Sequence, residues 1–206
     1  MAAELLPPLP PYAGIALADV RLVQSGAQAA QALHALLAAD VIGFDTESKP
    51  TFQKGETSNG PHLIQLATDD TAYLFQIGAS PALDVLKAIL ESSATLKVGF
   101  GLADDVKRLR SKLGITTAGV LDLSVALRGG QRNDLGAKTA VAKFFGLHLQ
   151  KSKKISTTNW ANAHLTERQI LYAADDAQVA LRVYRHWLAS GGAVARAPGL
   201  REPAED

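Results

Sequence analysis

The chain has 206 residues, with 21 Lys plus Arg against 20 Asp plus Glu, five His and no Cys. That length suits one domain with short tails, and a hydrophobic share of 47% excludes a disordered chain. The lack of cysteine removes disulfides, thiolate zinc sites and cysteine nucleophiles, while a net charge of +1 argues against a grip on nucleic acid through bulk positive charge.

Residues 1–24 read as an arm, because Pro7-Pro8-Leu9-Pro10-Pro11 must run extended. A packed arm or loose tail is favoured over a polyproline ligand for a partner. Ser25 caps a helix over 27–39 with Ala30, Leu33, Leu36 and Leu37 on its apolar face. A strand follows over 41–47, then a polar loop over 49–60. Strands over 62–68 and 72–76 flank the turn residues Asp69-Asp70-Thr71. A helix over 81–90 starts at Pro81. The strand over 96–99 leads into a helix over 102–113, and a short strand lies at 120–123. Further helices span 134–145 and 166–188, the last opened by a Thr166/Gln169 capping box. Residues 25–189 thus form one domain of the α/β class with a mixed sheet, and 190–206 read as a disordered tail. No apolar run approaches the ~18–20 residues a bilayer needs. Met1-Ala2-Ala3-Glu4 lacks a secretory start, so a cytoplasmic protein with no membrane contact is expected.

Four acids occupy positions where core residues are expected. In Val41-Ile42-Gly43-Phe44-Asp45-Thr46-Glu47, strand alternation puts Asp45 and Glu47 on one face at the carboxyl end. Like charges so close need a counter-charge, and a divalent metal supplies one; a solvated strand end is the alternative. On the last helix Asp176 interrupts an apolar row of Tyr172, Val179, Val183 and Trp187, whereas Asp175 falls among Arg168, Gln178, Arg182 and His186 on a solvated face. Tyr172 lies one turn before Asp176; a core tyrosine is its structural alternative. Asp105 borders the Leu102, Val106, Leu109 and Leu113 stripe while Asp104 faces outward, although an acid in a first turn also serves the helix dipole. Asp45, Glu47, Asp105 and Asp176 together offer hard oxygen ligands for two Mg²⁺ or Mn²⁺ ions, a recurrent arrangement for cutting phosphodiesters. Tyr172 would orient the attacking water.

These residues resemble the 3′–5′ exonucleases of the DnaQ-like group in the ribonuclease H-like superfamily, in the subgroup with a tyrosine in its third motif (DEDDy). The motifs are Phe44-Asp45-Thr46-Glu47, then Val98 to Leu109 around Asp105, then Tyr172-Ala173-Ala174-Asp175-Asp176. The run from Lys154 to Trp160 and Leu165-Thr166-Glu167-Arg168-Gln169 is similar to the Werner-type exonuclease domain and, less closely, to ribonuclease D. The resemblance covers about 25–189. It implies a mixed five-stranded sheet flanked by helices, metal held by Asp45, Glu47, Asp105 and Asp176, and release of nucleoside 5′-monophosphates from a 3′ end. Single-stranded or 3′-recessed nucleic acid is the expected partner, DNA slightly ahead of RNA.

Lys151, Lys153 and Lys154 form a basic cluster, read either as a phosphate contact or as a solvated loop. Trp160 reads as a packing anchor. Gly99-Phe100-Gly101 lacks the third glycine of a dinucleotide turn and places Asp104 where a pyrophosphate would lie, which argues against a nicotinamide cofactor. A non-catalytic nucleic-acid-binding or adaptor module on the same fold is the alternative function; the presence of all four acids and the tyrosine favours an enzyme.

Overall fold

A computed structural model describes residues 7–51, 59–78, 82–129 and 132–193. Its strands are β1 (Val20–Leu22), β2 (Val41–Glu47), β3 (Leu63–Ala67), β4 (Ala72–Gln76), β5 (Leu96–Gly99) and β6 (Val120–Asp122). They form one sheet in the order β1-β4-β3-β2-β5-β6. β2, β3 and β4 make an antiparallel meander, and the other pairings are parallel. The Asp69-Asp70-Thr71 turn closes the meander, with Thr68 N–H donating to the Thr71 carbonyl at 2.9 Å.

The sheet therefore has six strands where five are expected. The sixth is β1, which pairs in parallel with β4 from within the segment read as an arm. Three residues are too few to show an alternating period, so only the pairing reveals it.

Strand alternation sorts the core into two layers. Ile42, Phe44, Ile64, Leu66 and Phe75 face α1 (Gly26–Leu37), α2 (Leu83–Glu91) and α3 (Ala103–Arg108). The helical path of α3 continues as a π-helical turn, Leu109–Leu113. On the other face Val41, Leu63, Ala67, Leu74 and Val98 meet α5 (Ala137–Phe145) and α7 (Glu167–Ala189). Between these lie two four-residue helices, α4 (Leu123–Ala126) and α6 (Lys153–Ser156), too short for periodicity to announce. Both expected N-caps form: Ser25 and Thr166 each accept from the third helical N–H in a reciprocal capping box. Among the described residues, no helix is long and apolar enough to cross a membrane.

α7 lies very close to β2. A Cβ added at Gly43 would fall 1.9 Å from the Ala177 carbonyl oxygen, so only glycine permits this approach.

The proline-containing arm packs rather than projecting. His148 N–H donates to the Pro10 carbonyl at 2.7 Å and Tyr12 N–H to the His148 carbonyl at 2.9 Å. The Tyr12 ring stacks on Phe145 at 6.1 Å, and Arg182 donates to its hydroxyl at 3.0 Å. Residues 52–58 of the expected polar loop, Pro81, and residues 194–206 of the expected tail lie outside the described residues.

Candidate active site

The carboxyl end of β2 is where the acids meet, approached by one helix on each face of the sheet. Asp45 and Glu47 point to the α7 side, and α7 brings Asp176 and Tyr172 down onto them. Asp105 comes from α3 on the opposite side, where Thr46 donates its hydroxyl proton to Asp105 Oδ1. The sequence pattern places Asp45 and Glu47 together; the structure adds that Asp105 reaches the strand end from beneath.

Asp176 and Asp105 are buried, at 7% and 8% exposure, whereas Asp104 is exposed. Helical face and motif point to the same member of each Asp pair. Asp175 differs from its expectation. It is half-buried, because the arm crosses α7 there and Ile15 N–H donates to Asp175 Oδ1 at 2.7 Å.

The acids raise one another. Burial, reinforced by Asp176 and Asp105, holds the Asp45 carboxyl well above the usual range. Burial and the adjacent Asp45 push Glu47 to about 9. Burial likewise pushes Asp176 to about 6, against the pull of Lys151. Asp105 is raised by burial and partly relieved by Thr46. Such mutual repulsion among hard oxygen donors is the electrostatic condition a divalent cation satisfies.

The counter-charge present is Lys151. Its Nζ lies 2.9 Å from Asp176 Oδ1. Burial alone would lower this ammonium, but Asp176, Asp45 and Glu47 together raise it. Among the described residues no three acidic or histidine side chains converge as they would around a metal. Lys151 is paired with Asp176, and Thr46 donates to Asp105. The donor set fits divalent cations in chemistry, with Lys151 standing among its charges.

The expected lysine cluster consequently divides. Lys151 turns inward, while Lys153 and Lys154 are exposed on α6. Tyr172 is half-buried with its ring 6.0 Å from that of Trp160 and 6.0 Å from Lys151 Nζ. Burial and the nearby Asp176 raise its phenol, so the hydroxyl stays protonated. Trp160 is buried at 1% exposure and donates to the Ser156 carbonyl at 3.2 Å, a packing anchor as expected.

Three contributors carried no sequence signal. Thr46 belongs to the wrong face of β2 by alternation, and only the arrival of α3 gives it a role. Asp122 accepts from Gly101 N–H at 2.9 Å and Leu102 N–H at 2.8 Å, fixing the turn that launches α3 and Asp105. Gln65 sits opposite Asp45 in the β2–β3 register, fully buried, and neither atom of its amide finds a partner among the described residues.

The family model described as 3′–5′ exonuclease matches residues 20–188. Mouse "Bifunctional 3′-5′ exonuclease/ATP-dependent helicase WRN" is 31% identical over 149 residues, 71% of this chain and 11% of that protein. The chain thus spans about a tenth of that relative's length. The Aedes aegypti Nibbler EXO domain superposes with a TM-score of 0.72 at 26% identity, covering 84% of this chain and 88% of that one. Escherichia coli RNase D, described as an exoribonuclease involved in structured RNA processing, gives 0.70 at 25% identity over 84% of this chain and 46% of that one.

Proposed function

The chain belongs to the 3′–5′ exonuclease domain family, and from that premise we propose that it hydrolyses nucleic acid from the 3′ end to release nucleoside 5′-monophosphates. The observation that carries this reading is that Asp45, Glu47, Asp176 and Tyr172 lie within electrostatic reach of one another at the carboxyl end of β2, with Asp105 entering from the other face. The presence of all four acids together with the tyrosine favours an enzyme over an adaptor on the same fold.

Two Mg²⁺ or Mn²⁺ ions, held by Asp45, Glu47, Asp105 and Asp176, would supply Lewis-acid charge to the phosphate oxygens and acidify the attacking water. The side chains do the rest. Tyr172, kept protonated, orients the attacking water through its hydroxyl. Thr46 holds the Asp105 carboxylate, and Trp160 supports the Tyr172 ring. The partner is single-stranded or 3′-recessed nucleic acid, with DNA ahead of RNA.

The test is a digest of 3′- and 5′-labelled oligonucleotides with either metal, run in parallel on single-stranded DNA, recessed duplex DNA and RNA. Stepwise loss from the 3′ end is expected, and no shortening with either metal rejects the enzyme. Faster loss of RNA reverses the substrate order. Asp45→Asn and Asp176→Asn are expected to lower hydrolysis by ~10³-fold without loss of thermal stability.

A further inference from the structure

Beside the acids a cavity of about 460 Å³ opens between the 148–155 segment, α5 and α7. Lys138 and Arg168 stand in its wall, Ile155, Leu171 and Tyr172 give it an apolar side, and Lys151 lies where it meets the acid cluster. Lys138 and Arg168 make no hydrogen bond or ion pair among the described residues. Each also sits in the first turn of its helix, where a cation opposes the helix dipole. Neither placement stabilises its own helix, and both side chains are exposed, so both charges are open to a ligand entering the cavity. The carboxylate in the wall, Asp175, is engaged by Ile15 N–H at 2.7 Å.

We propose that this cavity holds the retained strand of the substrate, receiving the phosphodiester on the 5′ side of the bond being cut. The inference rests on the exonuclease reading and goes one step further into it. A departing mononucleotide carries its phosphate at the acids themselves, so cations set away from them have nothing on it to bind. The retained strand carries a phosphate at every step. Lys138 and Arg168 match those phosphates, and the apolar side formed by Ile155, Leu171 and the Tyr172 ring takes the sugar or base. Neither cation belongs to a sequence motif that reads a base, so the contact is independent of sequence.

The experiment compares wild type with the double variant Lys138→Gln/Arg168→Gln and with Lys87→Gln/Lys112→Gln, which removes equal charge from exposed positions on the α2 and α3 side. Binding of a fluorescent single-stranded 12-mer is followed by anisotropy in EDTA across a salt series. Hydrolysis of the 12-mer and of a dinucleotide is followed with Mg²⁺ or Mn²⁺. The cavity variant is expected to weaken 12-mer binding about tenfold, and to flatten the log–log salt slope by ~1.4, or ~0.7 per cation. The ratio of kcat/KM on the 12-mer to that on the dinucleotide is expected to fall about tenfold, through KM. Unchanged binding and slope, or an equal effect of the distant pair, overturns the proposal. So does an equal loss on both substrates, which assigns the cavity to the departing nucleotide. If wild type cuts nothing, the exonuclease reading fails, and the binding arm still decides whether the cavity holds the strand.

Discussion

The side chains around β2 divide into those whose chemistry is exposed by pattern and those whose chemistry depends on a neighbour. Tyr172 belongs to the first group. With its phenol held protonated, Tyr172→Phe removes a single hydroxyl, and kcat is expected to fall on the order of 10²-fold with KM little changed; single-turnover kinetics measure this directly. Gln65 belongs to the second group. Its buried amide has no partner among the described residues, and leaving such a group unpaired costs about 1–3 kcal/mol. Gln65→Met is therefore expected to leave stability equal or raise it, as read from urea unfolding; a clear loss would show that the amide has a partner in solution. Asp45, Glu47 and Asp176 were legible because an acid interrupting an apolar row is an anomaly in one dimension. Thr46, Asp122 and Gln65 were not, because each matters through an element distant in sequence. Asp175 departs from its helical pattern for the same reason: periodicity reports the face it occupies, and the arm that covers that face lies 160 residues away.

At the level of elements, what matters is how closely α7 approaches β2. Gly43→Ala places a methyl against the Ala177 carbonyl and must lift the helix that carries Asp176 and Tyr172 from the strand that carries Asp45. The expected outcome is a loss of ~1–3 kcal/mol in stability together with a loss of activity larger than that of a surface substitution, checked by unfolding and by the labelled digest. β5 contributes a different case. Lys97 is fully buried, and its ammonium donates to the carbonyls of Ser92 and Thr95, closing the end of α2. Burial lowers its pKa to about 8. The unfolded chain therefore binds the proton more tightly, and between about pH 8 and pH 10 unfolding takes up protons. Stability from this site rises with pH across that window, by up to about 1.4 kcal/mol per unit, and is flat below it. Wild type is expected to gain on Lys97→Met as pH rises from 8 to 10; parallel curves would show that the lysine is charged throughout. The long strands and helices were readable from period alone, whereas β1, α4 and α6 were too short to carry one.

For the whole molecule, the net charge of +1 conceals a division of charge rather than an absence of it. Acids gather at the end of β2, and Lys138 and Arg168, without a partner among the described residues, line the adjacent cavity. Two divalent ions would add four positive charges, so metal loading is expected to strengthen oligonucleotide binding at low salt. Anisotropy with Ca²⁺ against EDTA checks this, and equal affinity would show that the cations act alone. The sheet has a consequence of another kind. Its outer strands, β1 and β6, have only three residues each, while the longer strands β2, β3 and β4 lie inside. An edge this short offers an incoming chain few backbone partners, so neighbouring molecules find little ladder to extend. The fold thus gives strand-to-strand aggregation little to start from, as long as β1 stays docked on β4.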